Sequence, residues 1–356
     1  MTPNTTAVAV AGGIAAAIAA LWTVCAVRSG TLGGRGGPAV RPDEDPMEEF
    51  SRGKKYIDVG GRRIAYVDEG SGEPLLLLHG CPFHTYEWKD VIPLLSQRFR
   101  VLAPDLLGLG DTCVTLDDDY RLPEDAEMVR GFLAALGFDS AHFVGHDHGG
   151  ATSLLLMERA PQIIRSLVLT NIEAYDQWPS AEERPYLKMI VHPLTSPVFW
   201  AALHLRFVRR EVFSIAAHRQ EVLTDDVLRA FVRPHISKPA RWQRLRRFFR
   251  WQLDPEHNAE TMRVVDAMRR FETPTLILWG KQDGNFGESV ANRLAADIPG
   301  VVRIEWLENS GHLPMLEEPE RYASAVTSFI AEQQGAPAAS QGALSRDHRD
   351  RGKVVQ

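Results

Sequence analysis

Asp147 stands at the centre of Phe143-Val144-Gly145-His146-Asp147-His148-Gly149-Gly150, after an apolar run and at the head of a helical pattern. Gly145 and Gly149 flank it. A sharp strand-to-helix turn crowds those two positions and pushes the central side chain out above a sheet, the place of a nucleophile. Here that side chain is a carboxylate. Asp283, in Trp279-Gly280-Lys281-Gln282-Asp283, and His312, in Asn309-Ser310-Gly311-His312, each follow a later strand pattern. The order nucleophile, acid, histidine suits His312 as general base with Asp283 orienting its ring. His79-Gly80-Cys81-Pro82 follows an earlier apolar run, and the N–H groups of Cys81 and His148 are the candidate oxyanion hole. Taken singly, each has a plainer reading: an aspartate capping a helix, an ordinary strand-ending loop, a surface histidine. Their joint order favours the catalytic one.

A carboxylate nucleophile restricts the chemistry. Attack by serine on saturated carbon would leave an ether, which water does not open. Attack by a carboxylate leaves an ester, which water opens at the carbonyl. Attack on a carbonyl would give an anhydride instead. The expected electrophile is therefore an epoxide or a carbon–halogen bond, with an Asp147 ester that His312 hydrolyses through an activated water.

These residues need a sheet to hold them. Lys54–Val59 and Arg62–Val67 read as a hairpin around Gly60-Gly61. Leu75–Leu78, Arg100–Ala103, His142–Val144, Ser166–Thr170, Thr275–Trp279 and Val302–Trp306 are short apolar runs, as in strands buried on both faces. Helical patterns alternate with them over Tyr86–Gln97, Pro123–Leu136, Gly149–Arg159, Gly287–Ile298 and Pro319–Glu332. This alternation predicts an α/β fold, a mostly parallel sheet with helices on both faces. From 173 to 270 the pattern is helical only, which predicts a lid over the carboxyl edge of the sheet. The expected organisation is a hydrophobic segment over 1–28, a linker over 29–50, the core in two parts over 51–172 and 271–334, and a disordered tail over 335–356. The basic run Arg241–Arg250 is read as the wet face of an amphipathic helix.

From about Lys54 to Glu332 the chain resembles the α/β-hydrolase superfamily, in particular its epoxide hydrolase and haloalkane dehalogenase branches. His79-Gly80-Cys81-Pro82 looks like their HGxP loop, and Pro104-Asp105-Leu106-Leu107-Gly108-Leu109-Gly110 like their PDxxGxG segment. Gly145-His146-Asp147 matches their GHD turn, and Gly311-His312 with Glu317 and Pro319 their GHxxxxExP pattern. The resemblance implies a triad of Asp147, His312 and Asp283, with Glu173 as the alternative acid. Dehalogenases usually hold the halide with a Trp after the nucleophile and often an Asn after the HG pair; His148 and Cys81 stand there. Epoxide hydrolases usually protonate the opening oxygen with two lid tyrosines. This lid has Tyr175 and Tyr186, both early, while His192 and His257 lie near the spacing of the lid donors. Tyr186, His192 and Glu173 are thus the candidate leaving-group or substrate contacts. An epoxide is favoured, with a haloalkane next, and an esterase or lactonase or a non-catalytic small-molecule binder as further alternatives. Lid aromatics such as Trp178, Phe199, Trp200, Phe207 and Trp251 suggest a small apolar substrate or simply a lid core.

The 356 residues are 44% hydrophobic and 24% charged, with a net charge of −6, which argues against nucleic acid as a partner. Cys25, Cys81 and Cys113 make no disulfide framework, no motif suggests a metal, and no cofactor is expected. Thr6–Val27 carries no charge and is long enough for a membrane helix. Arg28, Arg35 and Arg41 follow it, which predicts a membrane-anchored enzyme facing the cytoplasm. A cleaved export signal is the alternative. Oligomeric state is not legible.

Overall fold

The computed structural model describes residues 46 to 335, apart from residue 182. The apolar segment Thr6–Val27 and nearly all of the expected tail lie outside the described residues. No helix among the described residues is long and apolar enough to cross a membrane.

Among the described residues eight strands form one sheet: β1 (Lys55–Val59), β2 (Arg62–Gly70), β3 (Glu73–Leu78), β4 (Phe99–Pro104), β5 (Ala141–His146), β6 (Ile164–Ile172), β7 (Thr275–Gly280) and β8 (Val301–Leu307). Their spatial order is β1-β2-β4-β3-β5-β6-β7-β8. β2 pairs antiparallel with both β1 and β4, and the other pairings are parallel. The β1–β2 hairpin turns at Gly60 and Gly61, both at positive φ (56° and 79°), which glycine adopts without strain. β3, β5 and β7 are buried almost throughout, which explains why they read as unbroken apolar runs.

Helices Leu122–Ala135, Asp147–Arg159, Glu288–Asp297 and Pro319–Gly335 lie close to their expected places. The segment expected as a single helix over Tyr86–Gln97 does not form one. It is a 3-10 turn, Thr85–Trp88, and a short helix, Ile92–Leu95, with Pro93 in its first turn. Proline suits a helix start and opposes helix continuing through it. A helix, Pro46–Gly53, begins inside the range expected to be linker. Its Phe50 packs edge-on against Tyr86, with ring centroids 5.1 Å apart.

The PDxxGxG segment anchors the loop after β3. Asp105 takes the Lys54 ammonium at 2.6 Å and the backbone N–H groups of Thr85 at 3.1 Å and Asp111 at 2.7 Å. His79 Nε2 accepts from the Leu106 N–H at 2.9 Å. Burial holds the His79 ring far below its ordinary value, at about 3, so it stays neutral as that bond requires.

Between β6 and β7 the described residues form only helices and turns, from Arg184–Val191 to Val265–Met268. The basic run lies on helix Pro239–Gln252, and only part of it is wet. Arg244 is 7% exposed and donates to the carbonyls of Gly110 and Thr112, binding lid to core.

Candidate active site

β5 ends at His146, and the next helix starts with Asp147 itself. Asp147 has φ 48°, a left-handed conformation that costs a non-glycine residue strain energy. Its neighbours must be small. A Cβ on Gly149 would lie 2.2 Å from the Leu78 carbonyl oxygen, and one on Gly145 would lie 2.8 Å from Gly150 Cα.

Asp147 is 1% exposed, and its two oxygens are unlike. Oδ1 accepts the Cys81 N–H at 2.6 Å. Oδ2 has no hydrogen-bond partner and lies 3.6 Å from His312 Nε2. His312 Nδ1 donates to Asp283 Oδ2 at 3.0 Å. Asp283 is itself held, Oδ2 by Asn171 Nδ2 at 2.8 Å and Oδ1 by the Asn285 N–H at 2.8 Å. Asn171 also bridges to the end of β7, accepting from the Gly280 N–H at 2.8 Å. Loops after β3, β5, β7 and β8 thus meet at one point.

The electrostatics favour a charged imidazole at rest. Burial works against the charge, but Asp283, through its own charge and its hydrogen bond, and then Asp147 lift His312 to about 9. Burial raises the Asp147 carboxyl above the usual carboxylate range, against the pull of His312.

A second pair supports the loops from behind. Glu87 accepts from the Gly80 N–H at 3.2 Å and lies 3.0 Å from His146 Nδ1, while His146 Nε2 lies 2.9 Å from the His312 carbonyl oxygen. Burial pushes Glu87 well above its ordinary value and His146 down to about 3. Burial thus favours the neutral form of each; with both neutral, His146 Nε2 would donate to the His312 carbonyl and Nδ1 would accept from a protonated Glu87. Nothing in the sequence motifs singled out Glu87.

The remaining expected site residues scatter. The His148 ring is spent on two carboxylates, with Nδ1 2.8 Å from Glu173 and Nε2 3.2 Å from Asp125. Burial opposes its charge, but Glu173 and Asp125 raise it to about 10. Glu173 faces His148 and His257 (3.2 Å from Nε2) instead of His312, so it does not take the place of Asp283. His192 follows the last turn of helix Arg184–Val191 and is exposed, so its ring stands outside the cavity described below. Tyr186 does line that cavity; Tyr175 turns away to donate to Asp297 at 3.0 Å. Cys81, His148 and Glu173 bring a thiol, an imidazole and a carboxylate within 4.8 Å of one another, a grouping that the sequence spacing hides. A cation there would have to take the Nδ1 proton of His148 and end its hydrogen bond to Glu173.

A cavity of about 80 Å³ lies over the site, lined by Cys81 and His312 from the core and by Trp178, Tyr186, Phe213 and Phe249 among lid residues. It has room for a small apolar molecule.

Residues 73–319 match the family model of the alpha/beta hydrolase fold. The chain belongs to the α/β-hydrolase family. Haloalkane dehalogenase 2 of Mycobacterium tuberculosis (strain ATCC 25618 / H37Rv) is 30% identical over 282 residues, 76% of this chain and 93% of that protein. The soluble epoxide hydrolase of Corynebacterium sp. (strain C12) is 38% identical over 128 residues, 34% of this chain and 44% of that protein. The crystal structure of haloalkane dehalogenase DbeA from Bradyrhizobium elkani USDA94 shares the fold, with TM-score 0.67 at 22% identity, over 80% of this chain and 99% of that one. The chain is a hydrolase of this fold, and the strand order and helical lid described above are that fold's framework.

Proposed function

We propose that this hydrolase works through an ester between Asp147 and a saturated carbon of its substrate, and that the substrate is an epoxide. The observation that carries the reading is the asymmetry of the Asp147 carboxyl. Oδ1 is fixed on the Cys81 N–H, while Oδ2 is unpartnered and faces His312. Oδ2 attacks carbon and the C–O bond of the epoxide breaks. Water, deprotonated by His312 with Asp283 behind it, then adds to the Asp147 carboxyl carbon. The oxygen at the Oδ1 position takes up negative charge in that second step, and the Cys81 N–H already points at it. The His148 N–H is the expected second donor. The apolar lid keeps bulk water from solvating the carboxylate.

The choice of epoxide over halide rests on His148. Its two ring nitrogens are engaged by Asp125 and Glu173, which leaves it no donor for a halide. The second reading, a haloalkane dehalogenase, has two supports. One is the likeness to haloalkane dehalogenase 2 along nearly that protein's whole length. The other is Trp178, which lines the cavity with an indole N–H that has no partner. Thr6–Val27 would hold the enzyme at a bilayer, and sedimentation of the full chain with membranes is the check.

The test is intact-mass analysis of a His312→Gln variant exposed to epoxides, bromoalkanes and p-nitrophenyl esters. The reading predicts a stable adduct on Asp147, carrying the whole epoxide. Bromide release with an alkyl adduct from the bromoalkanes, and no adduct from the epoxides, selects the dehalogenase. Ester cleavage with no adduct on Asp147 from any electrophile refutes the ester mechanism.

A further inference from the structure

Glu183 caps the helix Arg184–Val191 in the lid and lines the same cavity as Cys81 and His312. The steps above do not use it. Its carboxyl belongs to a closed ring of three side chains. Ser180 Oγ lies 3.0 Å from Glu183 Oε2 and 3.3 Å from Asn285 Oδ1, and Asn285 Nδ2 donates to Glu183 Oε1 at 3.2 Å. A serine hydroxyl has one hydrogen. With Glu183 ionised, that hydrogen goes to Oε2 and Asn285 Oδ1 has no donor within the ring. With a proton on Oε2, Glu183 donates to Ser180, Ser180 to Asn285, and Asn285 back to Glu183. Every member of this half-buried ring is then satisfied from within it.

The same ring touches the triad, because the Asn285 backbone N–H donates to Asp283. A carboxyl whose hydrogen-bond ring favours a proton thus lines the cavity that reaches His312, and His312 Nε2 lies 3.6 Å from the unpartnered carboxylate oxygen of Asp147. The chemistry that needs both is the opening of a strained ring at oxygen. Asp147 supplies the electron pair to carbon, and the departing oxygen needs a proton in the same step. A halide needs none.

Resting on the Asp147-ester reading, we propose that Glu183 is the acid that protonates the leaving oxygen, which makes epoxides the substrate class of this site. The Asp147 Oδ2–carbon bond forms as the carbon–oxygen bond of the epoxide breaks, and the pair left on oxygen takes the Glu183 proton. The products are a hydroxyalkyl ester of Asp147 and a Glu183 carboxylate. Ser180 Oγ–H and Asn285 Nδ2–H both reach that carboxylate, so the conjugate base has two donors. Once Asp147 is an ester, His312 gives its resting proton to the Glu183 carboxylate through solvent; water then gives a proton to His312 and its hydroxide to the Asp147 carboxyl carbon. Collapse returns the Asp147 carboxylate and moves the hydroxide's proton to the departing alcohol. His312 is then charged and Glu183 protonated, as at rest. The sum is epoxide plus water giving diol.

The charge environment suits an acid working near neutral pH. Burial pushes the Glu183 carboxyl up to about 8; His312 and the Ser180 hydrogen bond pull it down, and Asp147 and Asp283 add to the rise.

The experiment follows the rate of Asp147 alkylation by intact mass in single turnovers, with an epoxide and a bromoalkane. The proteins are wild type, Glu183→Gln and Tyr186→Phe, each checked for an unchanged melting profile. Glu183→Gln keeps the shape but has no acid. Its epoxide alkylation should fall by about 100-fold or more, the usual scale for a general acid, and its bromoalkane alkylation by less than about threefold. The wild-type enzyme alone gives a second reading that needs no variant: its epoxide-to-bromoalkane rate ratio should fall above about pH 8. Equal epoxide rates in Glu183→Gln and wild type overturn the assignment, as does a ratio that stays flat to pH 10. So does loss of epoxide opening in Tyr186→Phe with none in Glu183→Gln, which makes Tyr186 the acid. If wild type forms no Asp147 adduct with either electrophile, the ester mechanism itself fails, a result distinct from all of these.

Discussion

Asp147 Oδ2 and His312 Nε2 face each other across 3.6 Å, each oriented by another partner: Cys81 holds the other oxygen of Asp147 at 2.6 Å, and Asp283 holds the other nitrogen of His312 at 3.0 Å. The gap is too long for a hydrogen bond and short enough for charge to matter. While Asp147 is ionised it helps keep the proton on His312. In the proposed mechanism, conversion of Asp147 to an ester would remove that charge and make His312 a better base for the step that follows.

Asp147→Asn should imitate the ester electrostatically. The His312 ring should titrate about one to three units below its value of about 9, the usual effect of losing a charge at this distance. Ring proton NMR across pH 5–10 reads it directly, and an unchanged titration contradicts the coupling. The stability effect has a definite sign. The folded value lies above that of a free histidine, so the stabilisation is full below about 6.5 and lost as pH rises through about 9. The Asp147→Asn protein should therefore lose less melting temperature over that window than wild type.

His148 gives a stability prediction that concerns no substrate. Its charged ring lies between Asp125 and Glu173, all three buried. His148→Phe leaves two carboxylates without their cation, and denaturant unfolding at pH 7 should show a loss of about 3–5 kcal/mol. A loss under about 1 kcal/mol would show that the ring carries no charge.

Glu87 distinguishes a neutral support from an ionic one. Glutamine can accept from the Gly80 N–H and donate to His146 Nδ1, as a protonated Glu87 does. Glu87→Gln should keep turnover within a few-fold and cost under about 1 kcal/mol, whereas Glu87→Ala should cost about 1–3 kcal/mol through unpaired buried groups. Equal damage from the two substitutions means that Glu87 acts as an anion.

Gly80 is tight for a reason that concerns the site. A Cβ there would lie 2.7 Å from Asp147 Cβ and 2.8 Å from its Oδ1. Gly80→Ala should leave a folded protein whose carboxylate is displaced from the Cys81 N–H. Turnover should drop at least about 100-fold, the scale of a misplaced reacting group, with circular dichroism unchanged. Undiminished turnover would mean that the fixed oxygen is dispensable.

The parts of this molecule most legible in its sequence are those where sterics leave few options. Gly145 and Gly149 mark the turn because nothing larger fits there, and the strand-end positions of Asp147, Asp283 and His312 follow from chain order. The buried strands read clearly because both faces are apolar. Tertiary contacts hid the rest. Glu183 lies in the polar run Ser180–Arg184 and looks like surface until the lid brings it into the cavity lining. Glu173 sits near the right place to serve His312, yet His148 and His257, from opposite sides of it in sequence, draw it elsewhere. His192 has a suitable spacing but follows the last turn of a helix, which puts it on the outside. Helix Pro46–Gly53 was masked by the Gly- and Pro-rich stretch before it; its Phe50 finds an aromatic partner only in the folded chain.

The most direct measurement of the central claim is a single turnover in ¹⁸O-labelled water with enzyme in excess over an epoxide, followed by mass analysis of the peptide bearing Asp147 and of the diol. Water that adds to the Asp147 carboxyl carbon leaves its oxygen in the enzyme, so the account predicts label in Asp147 and an unlabelled first diol. Label in the diol with none in Asp147 would mean that water attacked the substrate directly, and the ester mechanism would be wrong.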